Sequence, residues 1–131
     1  MLVDASALTA MLTDESDARA LLARLQNYRK RTTSPLAVWE TVIAVARILG
    51  MSVRDAESAV EDFLKLAEIV VIPVAAETRT LAIDAYDRYG KSRHPAALNF
   101  GDCFAYACAR HDRVPLLYKG EDFTLTDIES A

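Results

Sequence analysis

A length of 131 residues and a hydrophobic content of 52% suit one compact domain, residues 1–131, that buries roughly two thirds of its unfolded surface. No stretch approaches the ~20 uninterrupted apolar residues that a membrane span needs, and no basic segment leads into a long apolar one at the start, so we expect a cytoplasmic protein without a membrane partner. The net charge of −4 disfavours a protein that holds nucleic acid by its overall field, so any such partner must be held locally.

The beginning of the chain predicts a buried strand and then a helix. Residues 1–4 form a short apolar run that ends in Asp4, a pattern typical of a buried strand. A helix is expected from a cap at Thr13 or Asp14 to Lys30, because apolar residues recur at three- and four-residue spacing. These recurring residues are Ala18, Leu21, Leu22, Leu25 and Tyr28.

Two further helices are predicted next. Ser34 as N-cap and Pro35 in the first helical position open a helix that Gly50 ends. The core stripe expected for this helix is Leu36, Trp39, Ile43 and Ala46. Ser52 with Asp55 three residues later resembles a capping box and opens the following helix. The apolar face expected for that helix is Ala56, Val60, Phe63, Leu64 and Ala67.

The second half of the chain predicts two more strands separated by helices. Residues 69–72 are β-branched without alternation, as expected of a strand that is covered on both faces. The later elements are a helix over 77–89 closed by Gly90, a loop over 91–101, a helix from Asp102 to about Asp112 and a strand over 115–118. Strands separated by helices pair in parallel through right-handed crossovers. We therefore expect a three-layer α/β/α fold with a short, mainly parallel central sheet.

Four acidic residues are placed to meet at one edge of this sheet. Ligands of parallel sheets bind beyond the carboxyl ends of the strands, and Asp4 ends the first strand while Asp122 follows the last. Asp102 opens a helix near the same edge, and Glu40 borders the apolar face of its own helix. Three of these acids also have ordinary explanations, as a helix cap, a solvated helix residue and a turn residue. Asp4 has none, because an acid that ends a buried strand loses its hydration without an obvious basic neighbour.

Carboxylates that converge in this way need a counter-ion. Three or four of them in one place repel each other by roughly several kcal/mol at low effective dielectric. Ligands that are all oxygen suit Mg²⁺, or Mn²⁺, whereas zinc would call for histidine and cysteine at close spacing, which this sequence lacks. The acids therefore predict a divalent-cation site.

Four stretches, taken in order, carry a family resemblance. Residues 1–8, MLVDASAL, place an aspartate at a strand end, and residues 39–40 supply a helical glutamate. NFGDC over 99–103 is a Gly-Asp helix opening, and 116–123 is a closing strand with an acidic loop. This set resembles the PIN domain family over essentially the full length. The string over 89–103 is similar to its VapC-type ribonuclease toxins in particular.

The resemblance implies a PIN-like fold and a Mg²⁺-dependent endoribonuclease toxin, with Mn²⁺ as a possible substitute. It also implies neutralisation by a cognate antitoxin, an RNA substrate and a homodimer. The residues that match the family's acids by position are Asp4, Glu40 and Asp102. Many members place a fourth acid where this chain has Gly120, so Asp122 is taken as its substitute and Glu121 as a lesser candidate.

These acids have distinct roles in the hypothesis. Asp4 and Asp102 bind the metal directly, whereas Glu40 and Asp122 act as outer ligands or hold a second ion. The hydroxyl of Ser6 orients Asp4 or a bound water. One or two such ions activate a water and offset the negative charge on the transferring phosphoryl group.

Basic residues near the proposed site are candidates for RNA contact. Lys91, Arg93 and His94 lie in the loop that leads to Asp102 and can reach phosphates, although a run of charge is often only a solvated surface. His94 has no acid nearby to orient it, so we expect it to contact RNA or support the structure instead of acting as a base. A second basic run, residues 29–31, lies farther away in sequence.

Two other functions are compatible with the pattern. One is a catalytically silent PIN-like fold, lined by the same acids, that acts as a module for protein interaction. Four uncompensated acids disfavour it. The other is a receiver-like phosphoacceptor domain, for which Lys119 would be the late lysine. Such a domain places a pair of acids after its first strand, where Asp4 stands alone.

Overall fold

The computed structural model describes residues 1–131 and contains a four-stranded sheet with helices on both faces. The strands are β1 (Leu2–Val3), β2 (Arg31–Thr33), β3 (Ile69–Val71) and β4 (Leu116–Leu117). Their order across the sheet is β3-β2-β1-β4, and all three pairings are parallel. The predicted α/β/α architecture is therefore confirmed.

Six helices connect and cover these strands. They are α1 (Ala5–Leu12), α2 (Ala18–Gln26), α3 (Pro35–Leu49), α4 (Val53–Leu66), α5 (Thr78–Tyr89) and α6 (Phe100–Asp112). No single helix combines the length and apolar character needed to cross a membrane. Helices α3 and α4 meet that test only when counted together, and they are bent by 119° at their junction.

Alternate residues of the short strands face opposite helical layers. Val3 and Leu117 belong to the core beneath α1 to α4, whereas Leu2 and Leu116 belong to the core beneath α5 and α6. The register places Leu2 beside Leu116 and Val3 beside Leu117, so each face of the sheet presents a matched apolar pair. Strands of two residues can therefore support both layers.

Local signals located several helix ends correctly. The Ser34 hydroxyl accepts a hydrogen bond from the Ala37 amide at 3.1 Å, Pro35 is the first residue of α3, and Gly50 ends that helix with a φ of 62°. The Ser52 hydroxyl caps α4 in the same way, and Gly90 follows the last residue of α5. These boundaries confirm the predictions for the three helices.

The helix predicted over 14–30 is confirmed only in its middle, where α2 covers Ala18–Gln26, and the preceding helix α1 was not predicted. Asp14 lies between α1 and α2 with a φ of 52°, in the left-handed region that separates the two helices. The sequence analysis also missed β2. This strand contains Thr32 and Thr33, whose hydroxyls donate to the carbonyl oxygens of Met1, directly before β1, and of Val3 in β1. Because these bonds satisfy the hydroxyls, a polar segment can form a central strand.

The predicted inner face of α3 is only partly confirmed, since Ala46 is buried and Leu36 half-buried, whereas the two largest predicted residues are exposed. Its buried residues are Ala37, Thr41, Val42, Val45 and Ala46. Trp39 is 66% exposed and Ile43 is exposed as well. The inner face carries small side chains because α3 packs closely against α1 and α4. The large residues of α3 therefore point outward.

Strand β3 does not have both faces covered, contrary to the prediction. It is an edge strand of the sheet, and Val70 is 61% exposed while Ile69 is buried. A run of β-branched residues indicates a strand, but its position in the sheet decides how much of it is covered. Part of the exposed surface of β3 borders a groove on α3 and α4, which is described below.

Candidate active site

Asp4 lies at the carboxyl end of β1 and is the N-cap of α1. It is only 5% exposed, and its Oδ2 accepts hydrogen bonds from the Ser6 amide at 3.0 Å and the Ser6 hydroxyl at 2.5 Å. Burial raises the pKa of Asp4, with a smaller rise from the charge of Asp122, while the hydrogen bonds from Ser6 oppose these effects. The fold thus holds an acid in a place that disfavours its charge.

Ser6 links Asp4 to the segment that follows β4. Its hydroxyl donates to Asp4 and accepts a hydrogen bond from the Lys119 amide at 3.0 Å. The backbone adds a parallel link, since the Asp4 amide donates to the carbonyl oxygen of Leu117 at 2.9 Å. The end of β1 and the end of β4 are therefore joined through both main chain and side chains.

Asp102 lies in the first turn of α6. The sequence analysis expected it to begin that helix, and this prediction is wrong, because α6 begins at Phe100. Asn99 is the N-cap, and it forms a reciprocal capping box with Asp102 through two bonds of 2.9 Å. The spacing Asn-x-x-Asp is a signal that could have placed this boundary from sequence. The capping box engages Oδ2 of Asp102 and leaves Oδ1 without a hydrogen bond from the chain.

Burial raises the pKa of Asp102 to about 6, and the charges of Asp4 and Asp122 contribute to that rise. Glu40 on α3 is perturbed further. Burial raises its pKa to about 7, with additional contributions from the charges of Asp4 and Asp102. These mutual effects show that the structure brings the acids of three separate elements close enough to interact electrostatically.

Glu40 lies against the first turn of α6. A Cβ atom added to Gly101 would be 2.0 Å from Oε1 of Glu40, so only glycine at this position leaves room for the carboxylate. Because Gly101 directly precedes Asp102, this contact makes Glu40 and Asp102 neighbours. The sequence analysis identified the Gly-Asp motif but not the contact that requires the glycine.

Asp122 lies on the exposed loop after β4. Gly120 allows this loop to turn, with a φ of 89°, and the buried ring of Phe123 packs against Tyr118 at a centroid distance of 5.0 Å. The charge of Asp122 raises the pKa of Asp4 and of Asp102. Glu121 has no such effect among the causes of these shifts, so the structure couples Asp122 to the other acids.

These acids have no cationic partner in the chain. None of Asp4, Glu40, Asp102 and Asp122 takes part in an ion pair. No three of the Asp, Glu, His and Cys side chains are already arranged as ligands of one ion. The donor set is all oxygen, uncompensated and only loosely converged. Such a set fits a hydrated hard cation, which retains waters between itself and some of its ligands.

The basic residues of the loop before α6 mostly have partners within the chain. Arg93 forms an ion pair with Asp87 at 2.6 Å, and the Nδ1 atom of His94 accepts a hydrogen bond from the Ala96 amide at 3.1 Å. Lys91 is exposed and has no such partner. None of the three is among the causes of the pKa shifts of the acids. Their contact with RNA stays a prediction.

Comparisons with known proteins identify a family and several relatives of this chain. The model of the PIN domain family matches residues 1–129. Ribonuclease VapC from Mycolicibacterium smegmatis is 41% identical over 128 residues, which cover 98% of this chain and 97% of that protein. Ribonuclease VapC28 from Mycobacterium tuberculosis is 42% identical over 134 residues, covering 100% and 97%.

A solved structure is also similar to this fold. It is VapC20 from Mycobacterium tuberculosis, described as a Sarcin-Ricin loop cleaving toxin, and its TM-score with this chain is 0.75. The similarity covers 99% of this chain and 97% of VapC20. The sequence identity is 20%, so this likeness supports the fold alone.

Proposed function

Because the chain belongs to the PIN domain family, with VapC ribonucleases among its relatives, we propose that residues 1–131 form a divalent-metal-dependent endoribonuclease toxin. The observation that supports this most is the group of four acids, none of which has a basic partner. Burial raises the pKa values of Asp4, Glu40 and Asp102, and the charge of Asp122 raises those of Asp4 and Asp102 further. Structural acids are normally paired, because an uncompensated buried charge destabilises a fold. Acids kept in this state are suited to holding a cation.

The residues would have different roles in such a site. Asp4 and Asp102 would hold Mg²⁺ or Mn²⁺ directly, and Glu40 and Asp122 would act as outer ligands or hold a second ion. When bound, the metal supplies an activated water and offsets negative charge on the phosphoryl group. Ser6 keeps Oδ2 of Asp4 in place through its hydrogen bond. Glu40, with a pKa of about 7, can bind or release a proton at its carboxylate near neutral pH.

RNA would approach over the loop that precedes α6. Lys91, Arg93 and His94 lie in this loop, which is linked to α5 by hydrogen bonds between the main chains of Tyr89 and Leu98 and of Lys91 and Leu98. Local positive charge is needed because the chain as a whole carries a net charge of −4. Lys91 is free to contact phosphate, whereas Arg93 would do so beside its partner Asp87.

A groove on α3 and α4 is suited to the proposed antitoxin. It has a volume of about 880 Å³ and is lined by apolar residues of α3, Val53 on α4 and Val71 on β3, with Arg54, Glu57 and Glu61 among its lining residues. Trp39 protrudes there with 66% exposure. An amphipathic helix of a partner protein buries its apolar face in grooves of this kind. We assign this groove to the antitoxin.

A different face is suited to the proposed homodimer. Helices α5 and α6 expose Ile83 and Phe100, each 68%, beside Tyr86 and Phe104. The rings of Phe100 and Phe104 lie 4.9 Å apart and form one apolar surface. Contiguous exposed apolar patches commonly mark protein interfaces, so we assign this face to a second copy of the chain.

Substitution of the two proposed direct ligands tests the function. Asp4→Asn and Asp102→Asn should each abolish Mg²⁺-dependent cleavage of RNA while leaving a folded protein, because asparagine conserves size and can still accept hydrogen bonds at a helix start. Asp62→Asn, an exposed acid on α4, is the matched control and should cleave like the unmodified chain. Full activity of both site variants would refute the assignment.

Thermal unfolding with and without Mg²⁺ or Mn²⁺ separates the enzyme from a silent interaction module. An ion at 100 times its Kd stabilises the folded chain by about 2.7 kcal/mol. The stabilisation should be present in the unmodified chain and reduced in Asp4→Asn. A chain that neither gains stability from these ions nor cleaves RNA would favour the silent PIN-like module.

A further inference from the structure

Lys119, directly after β4 and Tyr118, makes two contacts in different directions. Its backbone N–H donates to the Ser6 hydroxyl at 3.0 Å, and that hydroxyl holds Oδ2 of Asp4. Its side-chain amine forms an ion pair with Glu15, in the turn between α1 and α2. The same residue therefore touches the support of the proposed site with its main chain and a distant turn with its side chain.

The side chain of Lys119 is not directed at the acids of the site. Its pKa is raised by the hydrogen bond to Glu15 and by the charges of Asp17 and Glu15, and none of the four site acids is among the causes. Lys119 thus does not act as a counter-ion or a catalytic residue in this arrangement. A role as phosphoacceptor lysine is disfavoured for the same reason.

Glu15 is held in position to receive the lysine. Asp14 turns the chain after α1 with a φ of 52°, and the Glu15 amide donates to the Ala10 carbonyl at 3.0 Å. The Thr13 hydroxyl donates to the Thr9 carbonyl oxygen at 2.8 Å and lies 3.4 Å from Oε1 of Glu15. A non-glycine residue in the left-handed region is uncommon and requires support from its surroundings. The ordered turn presents Glu15 toward the end of β4.

The loop after Lys119 carries Asp122. Downstream, the loop is anchored by the buried ring of Phe123 against Tyr118. Upstream, Gly120 has a φ of 89° and, as a glycine, restricts the backbone little, so the contacts of Lys119 are what limit the loop at that end. Asp122 is exposed between the two anchors.

From these contacts we infer that the Lys119–Glu15 ion pair is a positioning device for the acidic site. It holds residues 119–122 against the α1–α2 turn, so that the Lys119 amide keeps Ser6 bonded to Asp4 and Asp122 stays beside the other acids. The geometric part of this inference stands on the contacts alone. Its consequence for metal binding rests on the proposed function.

Two single variants and a charge exchange test the device. Glu15→Gln and Lys119→Met remove the ion pair but keep the Lys119 backbone N–H. This ion pair is partly open to solvent, and such pairs are weak. We therefore expect the hydrogen exchange of the Lys119 amide, followed by NMR, to accelerate about two- to five-fold in each variant. The double variant should exchange no faster than either single one, because both remove the same interaction. The charge exchange Glu15→Lys with Lys119→Glu should restore slow exchange.

The control is Asp84→Asn, which removes the exposed ion pair between Asp84 and Arg88 on α5. Its Lys119 amide should exchange like that of the unmodified chain. Amide exchange that is unchanged in both single variants, or effects that add in the double variant, would overturn the inference. This readout needs no metal and is decisive even if the proposed function fails.

Calorimetric titration with Mn²⁺ then measures the consequence. The affinity for Mn²⁺ should fall about two- to five-fold in Glu15→Gln and Lys119→Met and recover in the charge exchange. Without metal, these variants should melt at temperatures close to that of the control variant. An unmodified chain that binds no Mn²⁺ refutes the proposed function. An unmodified chain that binds it, with variants that bind equally well, refutes the positioning role at the site.

Discussion

Replacement of Glu40 by glutamine should stabilise the metal-free protein at alkaline pH. The folded chain raises the pKa of Glu40 from its ordinary value of 4.5 to about 7 by burial and by the charges of Asp4 and Asp102. A group whose pKa is raised on folding contributes stability that is complete below its ordinary pKa and is lost as the pH rises through the folded value. The metal-free protein should therefore lose stability between about pH 5 and pH 8. Asp102, with a pKa of about 6, acts in the same direction.

The size of the effect follows from the two pKa values of Glu40. Their difference, about 7 minus 4.5, corresponds at 1.36 kcal/mol per pKa unit to an upper limit of about 3 kcal/mol. Glu40 is half-buried, so solvent screening reduces this to about 1–2 kcal/mol. For a chain of 131 residues, Glu40→Gln should raise the melting temperature at pH 8 by about 3–8 °C.

Thermal unfolding in the presence of a chelator at about pH 5.5 and pH 8 measures this prediction. Glu40→Gln should show a larger gain at pH 8 than at pH 5.5, because glutamine does not titrate. Glu57→Gln on α4, which removes an exposed acid from an ion pair, should show no such gain. A melting temperature of Glu40→Gln at pH 8 that equals or falls below that of the unmodified chain would refute the electrostatic coupling of the acids.

Three further changes probe the site and its surroundings. Gly101→Ala should slow RNA cleavage about 10- to 100-fold, because the added methyl group displaces the Glu40 carboxylate. The free energy of unfolding should change by less than about 1 kcal/mol, because alanine favours a helix. An unaltered cleavage rate would contradict the contact between Gly101 and Glu40. Trp39→Ala should weaken binding of the antitoxin's helix about 30-fold in a titration while leaving the melting temperature nearly unchanged, since the ring is 66% exposed; equal binding would exclude this groove. Arg93→Ala should lower the salt dependence of RNA binding by about one in the log-log slope, and an unchanged slope would count against phosphate contact.

Local sequence signals located those elements whose ends depend only on neighbouring residues. The cap at Ser34, the proline after it and Gly50 determine α3 through bonds within a few residues, and the prediction matched the structure. Strand β2 escaped prediction because Thr32 and Thr33 are polar. The carbonyl oxygens that satisfy their hydroxyls belong to Met1 and Val3, about thirty residues earlier, and no local pattern reveals such partners.

Helix faces were harder to assign than helix ends. Trp39 and Ile43 are large apolar residues of α3, and hydrophobic periodicity predicted that they lie in the core. The structure buries Thr41 and Val45 there instead, because close packing against α1 favours smaller side chains. The outward residues form a groove whose existence depends on how α3 and α4 are arranged.

The sequence by itself determined three of the four strands and five of the six helices, and with them the parallel sheet, because crossover connections leave few other topologies. It also determined that Asp4 stands at the end of a strand. Only the tertiary structure decided that Glu40 lies against Gly101 beside Asp102, and that Lys119 is bound to Glu15 instead of to the acids. Burial and electrostatic coupling depend on distances between parts of the chain that are far apart in order, and these distances exist only once the chain has folded.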